Sequence, residues 1–294
     1  MSEAYDSNKI TREYFDSLLV ETRYIDAELP STSMSIFGET FDTPVMTAAL
    51  SHLHDICPDA MAEFARGAKA ANAVCFVGMG EDEELESMTA TGARVVKIIK
   101  PHEDNAVVFH KIEHAVKNGC MAVGMDIDHA FSGNGGYDVV CGLPMKPKSL
   151  SEMKEFVSAA KVPFLVKGVL SVSDAVKSVE AGAKAILVSH HHGIMPYSVP
   201  PLMVLPDIVK AVGGSVKIIV DCGIESGMDV FKCIALGADA VCVGRALMGP
   251  LKGGSAEMAK KINDITGELK AVMARTGARD IDTIDPSVIH ARRF

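Results

Sequence analysis

The chain has 294 residues, of which 48% are apolar and 23% charged, so it can build a large core and is not a disordered chain. A formal charge of −9, with no run of lysines or arginines, argues against partners such as nucleic acid or an anionic membrane surface, which select basic patches. No segment approaches the ~18 uninterrupted apolar residues of a membrane span, and residues 1–13 are polar, without the apolar stretch of a secretory signal.

Residues 1–43 precede the first strong strand signal. Within them Met34-Ser35-Ile36 and Thr40-Phe41-Asp42, joined around Phe37-Gly38-Glu39, read as a β-hairpin extension at the bottom of the main domain. Apolar runs rich in Val, Ile, Ala and Met then recur at 44–50, 73–78, 94–99, 121–126, 163–168, 184–189, 217–221 and 239–244. Their continuous apolar character marks strands covered on both faces, as in parallel sheets. Amphipathic stretches at 57–71, 104–118, 149–160, 172–181 and 201–212 lie between them, and Gly turns lead into several strands. Eight strand–helix units predict an α/β fold: one (β/α)8 TIM barrel over 44–275, closed by a long helix over 255–275 and followed by a polar tail over 276–294. The alternative is an open doubly wound sheet, which usually has fewer strands and carries a Gly-rich fingerprint after its first strand; that fingerprint is absent here. Seven scattered cysteines include no C-x-x-C pair, which fits reduced thiols and a cytoplasmic setting.

In a barrel, chemistry gathers where strands end. Those ends carry Ala48 to His54, Gly78, Lys97, Asp126 to His129, Lys167, Ser189 to Gly193, Asp221 to Gly223 and Gly244-Arg245. Gly223, Gly227 and Gly244 let backbone amides approach an anion, and Arg245 adds a forked positive charge suited to phosphate. The bland alternative for these glycines is tight turns alone. Lys167 ends an apolar strand, where it either snorkels to solvent or faces the mouth and stabilises an anion. The run His190-His191-His192 suits proton transfer, metal ligation or a solvated polar loop.

Four stretches carry a family resemblance: Phe164-Leu-Val-Lys-Gly-Val-Leu170, Ile186-Leu-Val-Ser-His-His-His192, Asp221-Cys-Gly-Ile-Glu-Ser-Gly-Met-Asp-Val-Phe-Lys232 and Ala235-Leu-Gly-Ala-Asp-Ala-Val-Cys-Val-Gly-Arg245. They resemble the FMN-dependent 2-hydroxy acid oxidase/dehydrogenase family, densely over 162–250 and more weakly from about residue 30. The resemblance implies an FMN oxidoreductase acting on a small molecule, in a homo-oligomer of four or eight chains. It implies flavin contacts at Ala48, Ala49, Gly78, Lys97 and Ser189, and places Lys167 against reduced flavin. It places Asp221, Gly223, Gly244 and Arg245 around the ribityl phosphate. The catalytic base falls on His191 counted from Ser189, or on His192 counted back from Gly193. The substrate side departs from the family: the position of one carboxylate-binding arginine is Ile194, and the loop of the other reads Ser132-Gly-Asn-Gly-Gly136. The family's glutamine, tyrosine and threonine positions read Lys97, Ile99 and Gly124, and an arginine position in the seventh loop reads Glu225. A substrate site rebuilt around His129, His192 and Ile194, with no metal, is the resulting expectation. Two other readings stay open: a metal-dependent or Schiff-base lyase or isomerase using His52, His54, Asp126, Asp128, His129 and His190 to His192, and a redox-neutral flavin isomerase.

Overall fold

The computed structural model describes residues 6–292. It opens on a helix, α1 (Ser7–Ser17), capped by the Asp6 side chain accepting from Asn8 N. Strand β1 (Leu18–Val20) follows, then the hairpin β2 (Met34–Ile36) and β3 (Glu39–Phe41), paired Met34 to Phe41. The hairpin buries Met34, Ile36 and Phe41. Asp42 N donates to Asn72 O and Glu39 pairs with Arg94, both just ahead of barrel strands, so the hairpin covers the N-terminal end of the barrel.

The barrel strands are β4 (Val45–Thr47), β5 (Cys75–Val77), β6 (Val95–Ile99) and β7 (Ala122–Asp126). After a short hairpin, β8 (Val139–Val140) and β9 (Leu143–Pro144), come β10 (Phe164–Val169), β11 (Ala185–Val188), β12 (Lys217–Val220) and β13 (Ala240–Val243). All the pairings between neighbouring barrel strands are parallel, in the order β4-β13-β12-β11-β10-β7-β6-β5. The seam closes between β4 and β5: Thr47 N donates to Val74 O at 3.1 Å and Gly78 N to Leu50 O at 2.8 Å. This is the (β/α)8 barrel that eight both-face-apolar runs require.

Helices α2 (Ala60–Ala70), α3 (Asp82–Thr89), α4 (Asn105–Lys117), α5 (Leu150–Ala160), α6 (Val172–Ala181), α7 (Pro201–Val212), α8 (Gly227–Ala235) and α9 (Arg245–Leu251) follow the strands. Capping boxes fix two of their starts, Ser149 with Glu152 and Ser226 with Asp229. The long α10 (Ser255–Thr276) packs on α2 and α8. Beyond it the chain does not run free: β14 (Ile289–Ala291) pairs antiparallel with β1. None of the helices among the described residues is long and apolar enough to cross a membrane.

Strand register sorts the interior from the helix layer. Lys167 pairs with Asp126 across β10 and β7, and the two side chains meet inside. Counting by twos along β7 puts Gly124 inside, and with it Ile98 of β6, its register partner. Lys97, paired with Val123 and Val77, therefore faces outward, with Ile99.

Candidate active site

The C-terminal ends of the strands form a cleft lined by Ala48, Ala49, Lys167, His191, His192, Asp221, Gly223, Gly244 and Arg245, with about 710 Å³ of space open to solvent. These are most of the residues singled out above. Gly223 adopts φ +76°, and a Cβ on Gly244 would stand 3.1 Å from Ala48 Cβ, so both glycines are needed for the backbone to crowd the cleft as it does. Arg245 is exposed along the cleft, with its Nη2 3.3 Å from Asn8 Oδ1. Asp221 accepts from Cys222 N at 2.6 Å, holding the strained turn of Cys222, φ +76°.

At the inner end of the cleft, charges are buried together. Asp126, 2% exposed, accepts from Lys100 Nζ at 2.7 Å and from Lys167 Nζ at 3.0 Å. His191 Nδ1 lies 2.9 Å from Lys167 Nζ, 3.3 Å from Asp126 Oδ1 and 3.0 Å from Asp128 Oδ1. The Asp128 contact is off the line of a hydrogen bond, so that carboxylate, buried and without a hydrogen-bond partner, acts through its charge. On the other side of the ring, His191 Nε2 faces His129 Nε2 at 3.0 Å, and His129 Nδ1 lies 3.0 Å from Asp138 Oδ2.

The protonation states follow. Burial opposes charge on Asp126, but Lys167, His191 and Lys100 hold its carboxyl well below the usual range. Burial also works against the Lys167 ammonium; the charges of Asp126, Asp128 and Asp221 outweigh it and raise the group above an ordinary lysine. An ammonium held this way is not the free amine that imine formation needs. Burial and Lys167 oppose protonation of His191, while close contact with Asp126 and Asp128 wins and raises it. His129 is lowered, by burial first and then by Lys100 and His191, against the pull of Asp138.

The three consecutive histidines have separate fates. His190, 2% exposed, is tied at both nitrogens: Nε2 lies 2.8 Å from Thr11 Oγ1, and Nδ1 accepts from Gly193 N at 2.9 Å. His192 Nδ1 sits 2.6 Å from Asn8 Oδ1 at the edge of the cleft. His191 alone of the three reaches Lys167 and Asp126, on a backbone at φ +48° that a non-glycine residue adopts only when its surroundings impose it. Ser189, 1% exposed, positions that turn by accepting from His191 N at 3.0 Å. Of the residues considered for a metal, Asp126, Asp128, His129 and His191 come within 4.8 Å of one another, and the ammonium of Lys167 already stands among them.

Other positions are not where the sequence put them. Lys97 is turned away from the cleft: its Nζ donates to Gly78 O at 2.6 Å, in a separate cavity shared with Lys111 and His102, where burial and Lys111 push it down to about 8. The reason is strand parity: Lys97 alternates with Ile98 and Lys100, which take the inward places instead. Gly78 lies on the β4–β5 seam, where a Cβ would meet Ala49 O at 2.7 Å, and it does not line the cleft. Ile194 is 40% exposed on the loop beyond the cleft. Lys100 and Asp138 escaped sequence reasoning, as did α1, whose Arg12 donates to Gly223 O at 3.2 Å and pairs with Asp229 at 2.9 Å.

A closed barrel whose last two βα turns and an arginine surround a glycine-crowded cleft, with a buried lysine, histidine and aspartate at its inner end, is the framework of a phosphate-anchored flavin oxidoreductase. The chain belongs to the FMN-dependent dehydrogenase family, whose model matches residues 2–156 and 145–291. It is 30% identical over 291 residues to an L-lactate oxidase of Lactobacillus jensenii, covering 87% of this chain and 70% of that protein. It is 27% identical over 295 residues to a peroxisomal (S)-2-hydroxyacid oxidase of Arabidopsis thaliana, covering 88% and 81%. A tyrosine-to-phenylalanine variant of mandelate oxidase with the monooxide FMN adduct superposes at a TM-score of 0.89 with 26% identity, over 100% of this chain and 93% of that one. An arginine-to-leucine variant of mandelate oxidase with 2-hydroxy-phenylacetamide superposes at 0.88 with 25% identity, over 99% and 90%. The chain is thus an FMN-dependent oxidoreductase of the 2-hydroxy acid oxidase group. The crowded glycines and the cleft-side guanidinium fit the phosphate of FMN.

Proposed function

We propose that this enzyme oxidises a small 2-hydroxy compound whose recognition does not rest on an arginine pair. The observation that carries the reading is the seating of His191 between Asp126 and Lys167 at the inner end of the cleft. His191 takes the substrate hydroxyl proton, with Asp126 orienting the ring and stabilising its charged form. Lys167 holds a fixed positive charge where negative charge develops on the ring system bound beside it. Arg245 grips the phosphate, with Gly223 and Gly244 leaving room for it. FMN, when bound, supplies the two-electron acceptor.

Substrate selection is the altered part. With Ile194 and Ser132 to Gly136 standing at the two arginine positions, a buried carboxylate would lose its charged partners, at a cost of several kcal/mol. His192 lines the cleft, and His129 and Lys100 stand beside His191 and Asp126 at its inner end. A neutral or weakly charged hydroxy compound is the class that such a site favours, and a mandelate oxidase variant with one arginine replaced by leucine has been solved with 2-hydroxy-phenylacetamide. The free thiols, mostly buried, support a reducing compartment such as the cytoplasm.

The test is anaerobic stopped-flow flavin reduction with matched hydroxy acids and hydroxy amides. Amides are expected to reduce the flavin at least as well as the acids. His191→Asn should keep the flavin spectrum while reduction slows by about 10²–10⁴-fold. Unchanged reduction would remove His191 from its role, and colourless protein that refuses FMN would end the reading.

A further inference from the structure

The contact between His191 and His129 has no role in the reaction as described so far. Their Nε2 atoms lie 3.0 Å apart with the rings near perpendicular, 81° between planes. Two nitrogen lone pairs at that distance repel, so one proton stands between them. Each ring is also held from behind at Nδ1, His129 by Asp138 at 3.0 Å and His191 by Asp126, Asp128 and Lys167. Asp138 keeps its place because its Oδ1 accepts from Val139 N at 2.8 Å and its own N donates to Ala130 O. It is the partly exposed end of the series, with a side chain 22% exposed, against 3% for Asp126.

We infer that His191 and His129 work as one acid/base pair, with Asp138 positioning His129 and carrying the proton to water. This rests on the role given to His191 above. When the substrate O–H bond breaks, its proton goes to His191 Nδ1, whose lone pair faces the Lys167 ammonium; the proton on His191 Nε2 then moves onto His129 Nε2, and the proton on His129 Nδ1 passes to Asp138 and on to solvent. One proton enters and one leaves, while the electron pair and the carbon-bound hydrogen go to the bound flavin. The charged groups facing the pair are Lys100 and Lys167 on one side and Asp126, Asp128 and Asp138 on the other, with Asp221 reaching Lys167. Because the rings share a proton, the ionisations governing catalysis belong to the pair and not to either ring. The raised His191 and lowered His129 agree with unequal partners in one network.

The experiment uses FMN-loaded enzyme and follows the rate of flavin reduction against pH. His129→Gln is expected to slow reduction by about 10–100-fold, below the ~10²–10⁴-fold typical of the group that meets substrate directly, and to replace the paired ionisations of the rate profile by a single displaced one. Asp138→Asn should displace the same limb with a smaller loss of rate, and added imidazole should restore part of the rate to His129→Ala. A readout without turnover is the imidazole nitrogen and proton spectrum of the substrate-free enzyme: a downfield, exchange-protected proton is expected in the wild type and absent in His129→Gln. Rate profiles of both variants that superpose on the wild type overturn the pair. So does a stoichiometric metal in the purified enzyme that disappears in His129→Gln, since a cation would then occupy the place of the proton. If His191→Asn still reduces flavin, the reading above fails; if only the His129 variants are silent, the relay alone fails.

Discussion

Asp126 is one carboxylate serving two buried lysines, and replacing it by asparagine removes the charge while keeping the shape. Its oxygens lie 2.7 Å from Lys100 Nζ and 3.0 Å from Lys167 Nζ, with Asp126 and Lys167 both almost fully buried. Coulomb's law at an effective dielectric near 20 gives roughly 6 kcal/mol for each contact, most of it offsetting the desolvation of the ions. Removing one member of such a group typically costs about 3–5 kcal/mol, because the charges left behind stay buried without a partner. At roughly 2–4 °C per kcal/mol for chains approaching this size, Asp126→Asn is expected to melt about 6–20 °C below the wild type near neutral pH. Calorimetry without added FMN keeps cofactor binding out of the comparison. The pH dependence has a definite sign. The Asp126 pKa is depressed by folding, so its contribution is present above the unfolded value, ~3.9, and fades as pH falls below it; Lys167 is raised, so its contribution is full below ~10.4 and fades as pH climbs past its folded value. The deficit should therefore be flat across neutral pH and narrow toward both extremes. A loss under about 2 °C near neutral pH would refute the reasoning, by showing that the lysines find other partners or shed their protons.

Two further outcomes follow from groups away from that cluster. Arg245→Ala should weaken FMN binding by about 10–100-fold, the loss of one or two charge-assisted hydrogen bonds, while riboflavin, which lacks the phosphate, should bind the variant and the wild type alike in a fluorescence titration of apoprotein. His102, 5% exposed, is pushed down to about 4, by burial first and then by Lys111, Lys148 and Lys100. It therefore stays neutral in the fold while the unfolded chain protonates near 6.5, so stability should fall by up to roughly 3 kcal/mol between pH 6.5 and 4; His102→Asn should flatten that slope in urea titrations.

The barrel was legible because parallel strands covered on both faces leave continuous apolar runs: seven of the eight runs contain a whole barrel strand, and β10 runs one residue past its own. Strand ends were harder. The run 94–99 fixes a strand but not which alternate residues face inward, since Val95, Val96, Ile98 and Ile99 are apolar on both sides; the family resemblance points Lys97 to the cleft, and its pairing with Val77 and Val123 turns it outward. The three histidines could not be ranked from spacing, because their separation comes from successive left-handed backbone at His191, His192 and Gly193, a tertiary outcome. Helix α1 was missed for a related reason: its buried face is small and polar, with Ser7 and Thr11 beside Phe15, and what holds it is hydrogen bonding to residues some 180 positions away.

That helix also ties together parts of the chain that are far apart in sequence. Thr11 meets His190, Asn8 meets His192 and Arg12 meets Gly223, while Ser17 O accepts from Arg292 N near the other end. α1 thus finds its seat only on loops 179 to 211 residues further along, and that side of the cleft is complete only when both are folded. Whatever displaces α1 is accordingly expected to loosen the rim of the cleft at His192 and Gly223 before it disturbs the barrel strands.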